Sequence, residues 1–252
     1  MNREEYNLLC DDLYLDMYVN TELELPTQRD TILTFFERIQ KQYPTMSNFY
    51  RRDQHYYLEE ENSSEQYRWV AFEGNRIGSG IVNPRAFETA YRQDKLVLEL
   101  IPYMLGVNSL DIDSLDVTIG MDFDYRGNHD EVIAEALLGS SALNCLLDLP
   151  SSRAIDCSPE IVVSLSEDRR TQARISVESK TAVFDPREKE HQRDKFISML
   201  FTIHQFPRAG EKFNAIESLD KQCRLAEKLL AEKIVPNIVQ PLINTIAQKK
   251  FI

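Results

Sequence analysis

No two cysteines of this sequence stand close enough to form a Cys-x-x-Cys pair: Cys10, Cys145, Cys157 and Cys223 are scattered along the chain. That spacing excludes a dense disulfide framework and the usual zinc-ribbon ligand pattern, and it suits reduced thiols in a cytoplasmic protein. Long apolar runs are missing too. The most apolar stretch, Val97 to Leu105, is short and carries Glu99 and Pro102, so no spanning helix of about 18 apolar residues is expected. The opening residues Met1-Asn2-Arg3-Glu4-Glu5-Tyr6 lack a basic segment followed by an apolar one, so no secretory signal is expected. Basic charge is in deficit, with 29 Lys and Arg against 41 Asp and Glu, a net charge of -12. A field of that sign repels nucleic-acid phosphates and anionic membranes and tolerates a basic partner.

Catalytic signatures are equally absent. There is no Gly-x-Ser-x-Gly elbow, and Gly139-Ser140-Ser141 falls within a helical pattern. Gly74-Asn75-Arg76-Ile77-Gly78-Ser79-Gly80 lacks the Gly-Lys-Ser/Thr ending of a phosphate-binding loop and reads as a hairpin turn with residues at positive φ. The four histidines, His55, His129, His191 and His204, fall in four different elements. His204, inside an apolar strand, reads as a satisfied core residue.

What is present is strand and helix periodicity. Leu13, Leu15, Met17, Val19, Leu23 and Leu25 alternate with polar and tyrosine residues, which gives a strand with one buried face. Pro26 ends it, Thr27 is placed to cap a helix, and Ile32, Phe36, Ile39 and Tyr43 supply the apolar stripe. Strands are expected over 48–60, 65–73 and 77–82, then a helix from Arg85 to about Leu105 stopped by Gly106. Leu115 to Tyr125 repeats the alternation, Asn128 caps the next helix, and a hairpin (161–165 and 173–177), a charged loop (185–194) and an apolar strand (196–206) follow. The order suggests an α+β protein of two tandem split β-α-β, ferredoxin-like units with mostly antiparallel sheets, plus C-terminal helices. The expected boundaries are 1–112, 113–208 and 209–252.

Three sets of residues are candidates for function. Phe213, Ile216, Leu219, Cys223 and Leu230 advance by threes and fours, a narrow seam suited to covering the chain's own sheet or to pairing with a protein partner or a second copy as a homodimer. Asp122, Asp124 and Asp130 supply hard oxygen ligands that suit a divalent metal, although Arg126 and Ile133 occupy positions where a calcium loop of the EF-hand type needs oxygen donors. No other cofactor is expected.

Tyr67-Arg68-Trp69-Val70-Ala71-Phe72 resembles the second part of the RNP1 motif of RNA-recognition modules, with Tyr14 in the place of the other stacking aromatic. Glu65 and Gln66 stand where that motif has a basic residue and glycine, and Asp16, Glu22 and Glu24 share the face of Tyr14. These departures favour cross-strand aromatic packing under a helix or the second unit over RNA. His55, among Arg51, Arg52, Tyr56 and Tyr57, completes the ligand candidates. The functional expectation is a non-enzymatic interaction or assembly protein. The alternatives are a metal- or ligand-dependent enzyme with its site between the units and a single-strand RNA binder.

Overall fold

A computed structural model describes residues 6, 8–61, 66–181, 195–208 and 210–250. Nine strands form one antiparallel sheet in the order β2-β3-β4-β5-β1-β6-β9-β8-β7. They are β1 (Asp12–Thr21), β2 (Met46–Arg52), β3 (His55–Glu60), β4 (Tyr67–Phe72), β5 (Arg76–Val82), β6 (Ile112–Asp124), β7 (Glu160–Ser164), β8 (Thr171–Thr181) and β9 (Lys195–Gln205). The helices are α1 (Arg29–Gln42), α2 (Phe87–Met104), α3 (His129–Leu138), the single turn α4 (Asn144–Leu147), α5 (Ala215–Leu229) and α6 (Gln240–Lys250). A π-helical stretch, Leu230–Val239, joins the last two and contains Pro236, which lacks the N–H a regular turn would use. No helix among the described residues is long and apolar enough to cross a membrane.

The two alternating strands recognised in the sequence lie side by side at the middle of the sheet. β1 pairs with β6 along its whole length, Leu15 opposite Ile119 and Met17 opposite Val117. Their apolar faces point the same way and enter two adjoining core clusters. One holds Leu13, Leu15, Ile119 and Met121 beneath α2, α3, α5 and α6, and the other holds Met17, Val19, Leu115 and Val117 beneath α1, α2 and α5. Both clusters lie on one side of the sheet, so the described helices form a single layer over one face.

Each half runs strand, helix, meander, helix, and the meander returns to pair with its first strand: β5 with β1, β9 with β6. This corrects the expected arrangement. Every strand pair is antiparallel among the described residues, so neither half has the ferredoxin-like split β-α-β order, and the halves share one sheet. Smaller corrections follow. The single strand expected over 48–60 is a hairpin, β2 and β3, turned at Asp53 and Gln54, both at positive φ. The first helix is capped at Gln28, with no side-chain cap from Thr27. Asn128 does cap α3, accepting from the Glu131 N–H at 3.1 Å, and Gly106 follows α2 at φ 72°. The helix that follows Asn128 ends at Leu138. The charged loop 185–194, with His191, lies outside the described residues.

The C-terminal seam is spent on the chain's own core. Leu219, Cys223 and Leu230 are buried, with Phe213 and Ile216 packed at the margin of the same layer. Gln222, also buried, donates to the carbonyls of Leu115 (2.7 Å) and Ile203 (2.9 Å), fastening α5 to β6 and β9.

Candidate functional site: the open face of the sheet

Opposite the helix layer, no described helix covers the sheet. The strand registers place its residues in rows that cross the strands. One row runs Tyr50, Tyr57, Ala71, Gly78, Tyr18, Asp116, His204, and the next runs Asn48, Glu59, Trp69, Gly80, Asp16, Thr118, Thr202. A third carries Tyr67, Val82, Tyr14, Gly120 and Leu200. Of the sequence-derived candidates, Tyr14, Tyr67 and Trp69 therefore share this face, and His55 sits at its margin opposite Arg52. The aromatics do not pack under a helix; they lie on the uncovered side.

Glycines explain how large rings fit on so flat a surface. Gly78 and Gly80 are inside β5, neither at positive φ, so they are not the turn read from the sequence; Gly74 alone in that run is at positive φ. A Cβ on Gly78 would stand 2.7 Å from Trp69 Cζ3 and 2.9 Å from Tyr18 Cε1, and one on Gly80 2.6 Å from Trp69 Nε1. The Asp16 carboxylate crowds the same spot over Gly80, and the Tyr14 ring covers Gly120. Glycine here leaves the backbone bare for a ring to rest on.

The phenols are held neutral by their surroundings. Burial, then Asp122 and Asp16, pushes the Tyr14 hydroxyl far above its ordinary range; burial, then Asp16, does the same for Tyr18. Burial and a hydrogen bond to Glu59 raise Tyr67, and Tyr50 is raised by burial and by the same carboxylate. Tyr14 donates to Asp122 Oδ1 at 3.2 Å, as does Ser198 Oγ at 2.5 Å. Asp116 receives His204 Nδ1 at 2.9 Å and Asn20 Nδ2 at 2.8 Å. His204 is thus a half-buried residue of the open face, not of the core. Arg76 places its guanidinium 4.3 Å from the Tyr18 ring centroid and pairs with Glu73.

The aspartates proposed for a metal are engaged separately. Asp122 lies on the open face with Tyr14 and Ser198, Asp124 is exposed at the end of β6, and Asp130 Oδ1 accepts the Cys157 N–H at 2.9 Å. Among the described residues no group of three His, Cys, Asp or Glu converges as a metal site.

The sequence carried a signal for this face that went unread: glycines two apart in β5 and one in β6, set opposite Tyr18 of β1, Trp69 of β4 and Tyr14 of β1. Fold and site together define a class, a one-sheet α+β protein with helices on one face and an aromatic, carboxylate-lined sheet on the other. No protein-family model matches the chain, and no curated protein matches it.

Proposed function

We propose that this chain is a non-enzymatic binding protein that holds a basic segment of a protein partner across the open face of its sheet. The observation that carries the reading is the Arg76 guanidinium seated over Tyr18. It is an internal example of the chemistry that Trp69, Tyr14 and Tyr67 offer beside Asp16, Asp116 and Glu59. Aromatic rings take a cation on their faces, and neighbouring carboxylates add charge. The net charge of -12 steers a basic chain inward and works against phosphates. The repeated strand–helix–meander order supports two similarly ordered halves contributing to one binding surface. Scattered free cysteines fit a cytoplasmic setting.

The test is a titration followed by the fluorescence of Trp69, the one tryptophan of the sequence. A short Arg/Lys-rich peptide at low salt should change its emission saturably, while an acidic peptide of equal length should not. A response to single-stranded RNA with none to the basic peptide would transfer the face to the RNA reading. Silence to both overturns the proposal. A rise in melting temperature with magnesium or manganese that Asp122→Asn abolishes would favour the metal-dependent reading instead.

A further inference from the structure

The two edges of the sheet are built differently. β2, at one end, carries exposed Arg51 and Arg52 and a register break between Met46 and Asn48. Charge and bulges are the ordinary means by which an edge strand resists pairing with another chain. β7, at the other end, has no bulge and a single charge. Its sequence is Glu-Ile-Val-Val-Ser, all five residues are exposed, and Ile161, Val162 and Val163 show 57%, 51% and 41% of their surface. Its only charge, Glu160, is paired with Arg174 of β8. Ile161 and Val163 point to the helix side of the sheet, yet their exposure shows that the helix layer stops short of them.

Hydrogen bonding fixes which backbone groups of β7 are left over. The Leu165 N–H donates to the Thr171 carbonyl and the Val177 N–H to the Pro159 carbonyl. Alternation along an antiparallel pair then turns residues 161 and 163 toward β8 as well. Glu160, Val162 and Ser164 direct their N–H and C=O groups outward, where no strand among the described residues pairs with them.

From this we infer that β7 is a self-association edge that pairs antiparallel with β7 of a second copy about a two-fold axis at Val162. The segment is complementary to itself in that register. Residues 160, 162 and 164 meet 164, 162 and 160 of the other chain, so every outward donor finds an acceptor. Val162 faces Val162 on the open side, Ile161 faces Val163 on the helix side, and Glu160 faces Ser164, so no like charges are opposed. The product is one continuous sheet through both protomers. Because no charges oppose each other across the contact while each chain carries -12, added salt should strengthen it. Capture of a basic peptide on the open face should respond in the opposite sense, so the two proposals succeed or fail independently.

Light scattering after size exclusion tests this on the full chain and on Val162→Lys. The wild type should run as a dimer at concentrations up to about 100 μM, more fully at higher salt. The lysine variant should be monomeric, its dissociation constant raised about 100-fold or more by two opposed ammonium groups. At concentrations low enough that the wild type is also monomeric, its melting temperature should match the wild type's, since the Val162 side chain is half exposed and its N–H plays no part in the pairing with β8. Should that variant misfold, Val162→Cys in a Cys145→Ser background decides the matter: mild copper-catalysed oxidation should give a disulfide-linked dimer on a non-reducing gel where the Cys145→Ser parent gives none. A wild type that is monomeric throughout, a lysine variant that stays dimeric, or a cysteine variant that does not cross-link would each overturn the inference.

Discussion

The Tyr14 ring covers Gly120 on the neighbouring strand, so that any side chain at 120 must displace it. Displacement also removes the Tyr14 hydroxyl from Asp122. Gly120→Val should therefore cost about 1–3 kcal/mol by overpacking, read from urea unfolding. The double variant with Tyr14→Ala should lose less than the two single losses combined, because the ring that clashes has gone. Additive losses would mean that ring and glycine are energetically independent.

Asp94 on α2 is buried, and its Oδ1 has no hydrogen-bond partner in the structure. Burial holds its carboxyl well above the ordinary value of 3.8; a hydrogen bond from Ser79 pulls the other way, and Asp16 adds to the rise. The folded state binds this proton more tightly than the unfolded chain does. Asp94 thus contributes stability fully below pH about 3.8, and that contribution is lost as pH climbs toward the raised folded value. Asp94→Asn should be more stable than the wild type at neutral pH, with an advantage that shrinks as pH is lowered to about 4. Melting curves from pH 4 to 8 that stay parallel for the two proteins would refute this.

The C-terminal helices are covering elements of the fold. Leu219→Ala should cost about 2–5 kcal/mol, the range for emptying a well-packed leucine site. Truncation before Gly210 should leave a chain without cooperative melting, since it uncovers β6 and β9 and takes away Gln222. A truncated chain that melts sharply would show instead that the sheet is self-sufficient and the helices are an appendage.

How far the sequence disclosed this depends on the range of each interaction. The alternation of Leu13 to Val19 and Leu115 to Phe123 revealed two strands with one buried face, because period two is a local property. That those strands pair with each other, about a hundred residues apart, has no local signature, so the sequence left open whether the two halves share the one sheet they form. The turn at Asp53 and Gln54 was invisible because it uses positive φ without glycine. Gly78 and Gly80 misled for the opposite reason: glycine marks a turn and a seat for a ring alike, and only the rings at Tyr18 and Trp69 decide between them. Alternation did place Tyr67 and Trp69 on one side of their strand. It could not say that this side is bare, since cover is a property of the whole helix layer.

The open face should behave as an electrostatic and aromatic surface at once, and the two contributions can be separated. Asp16 lies under the edge of Trp69 at the centre of the face, so Asp16→Asn removes charge while keeping the shape of the side chain. A basic peptide should then bind about 3–10-fold more weakly, corresponding to roughly 1 kcal/mol for one partly screened charge. The loss should shrink as salt is raised, because screening already weakens that contribution in the wild type. Tyr67→Ala should weaken binding at all salt concentrations alike, since stacking on a ring face owes less to long-range charge. If both variants show the same salt dependence, the peptide is not seated between rings and carboxylates, and the acidic field of the whole chain alone would account for its attraction.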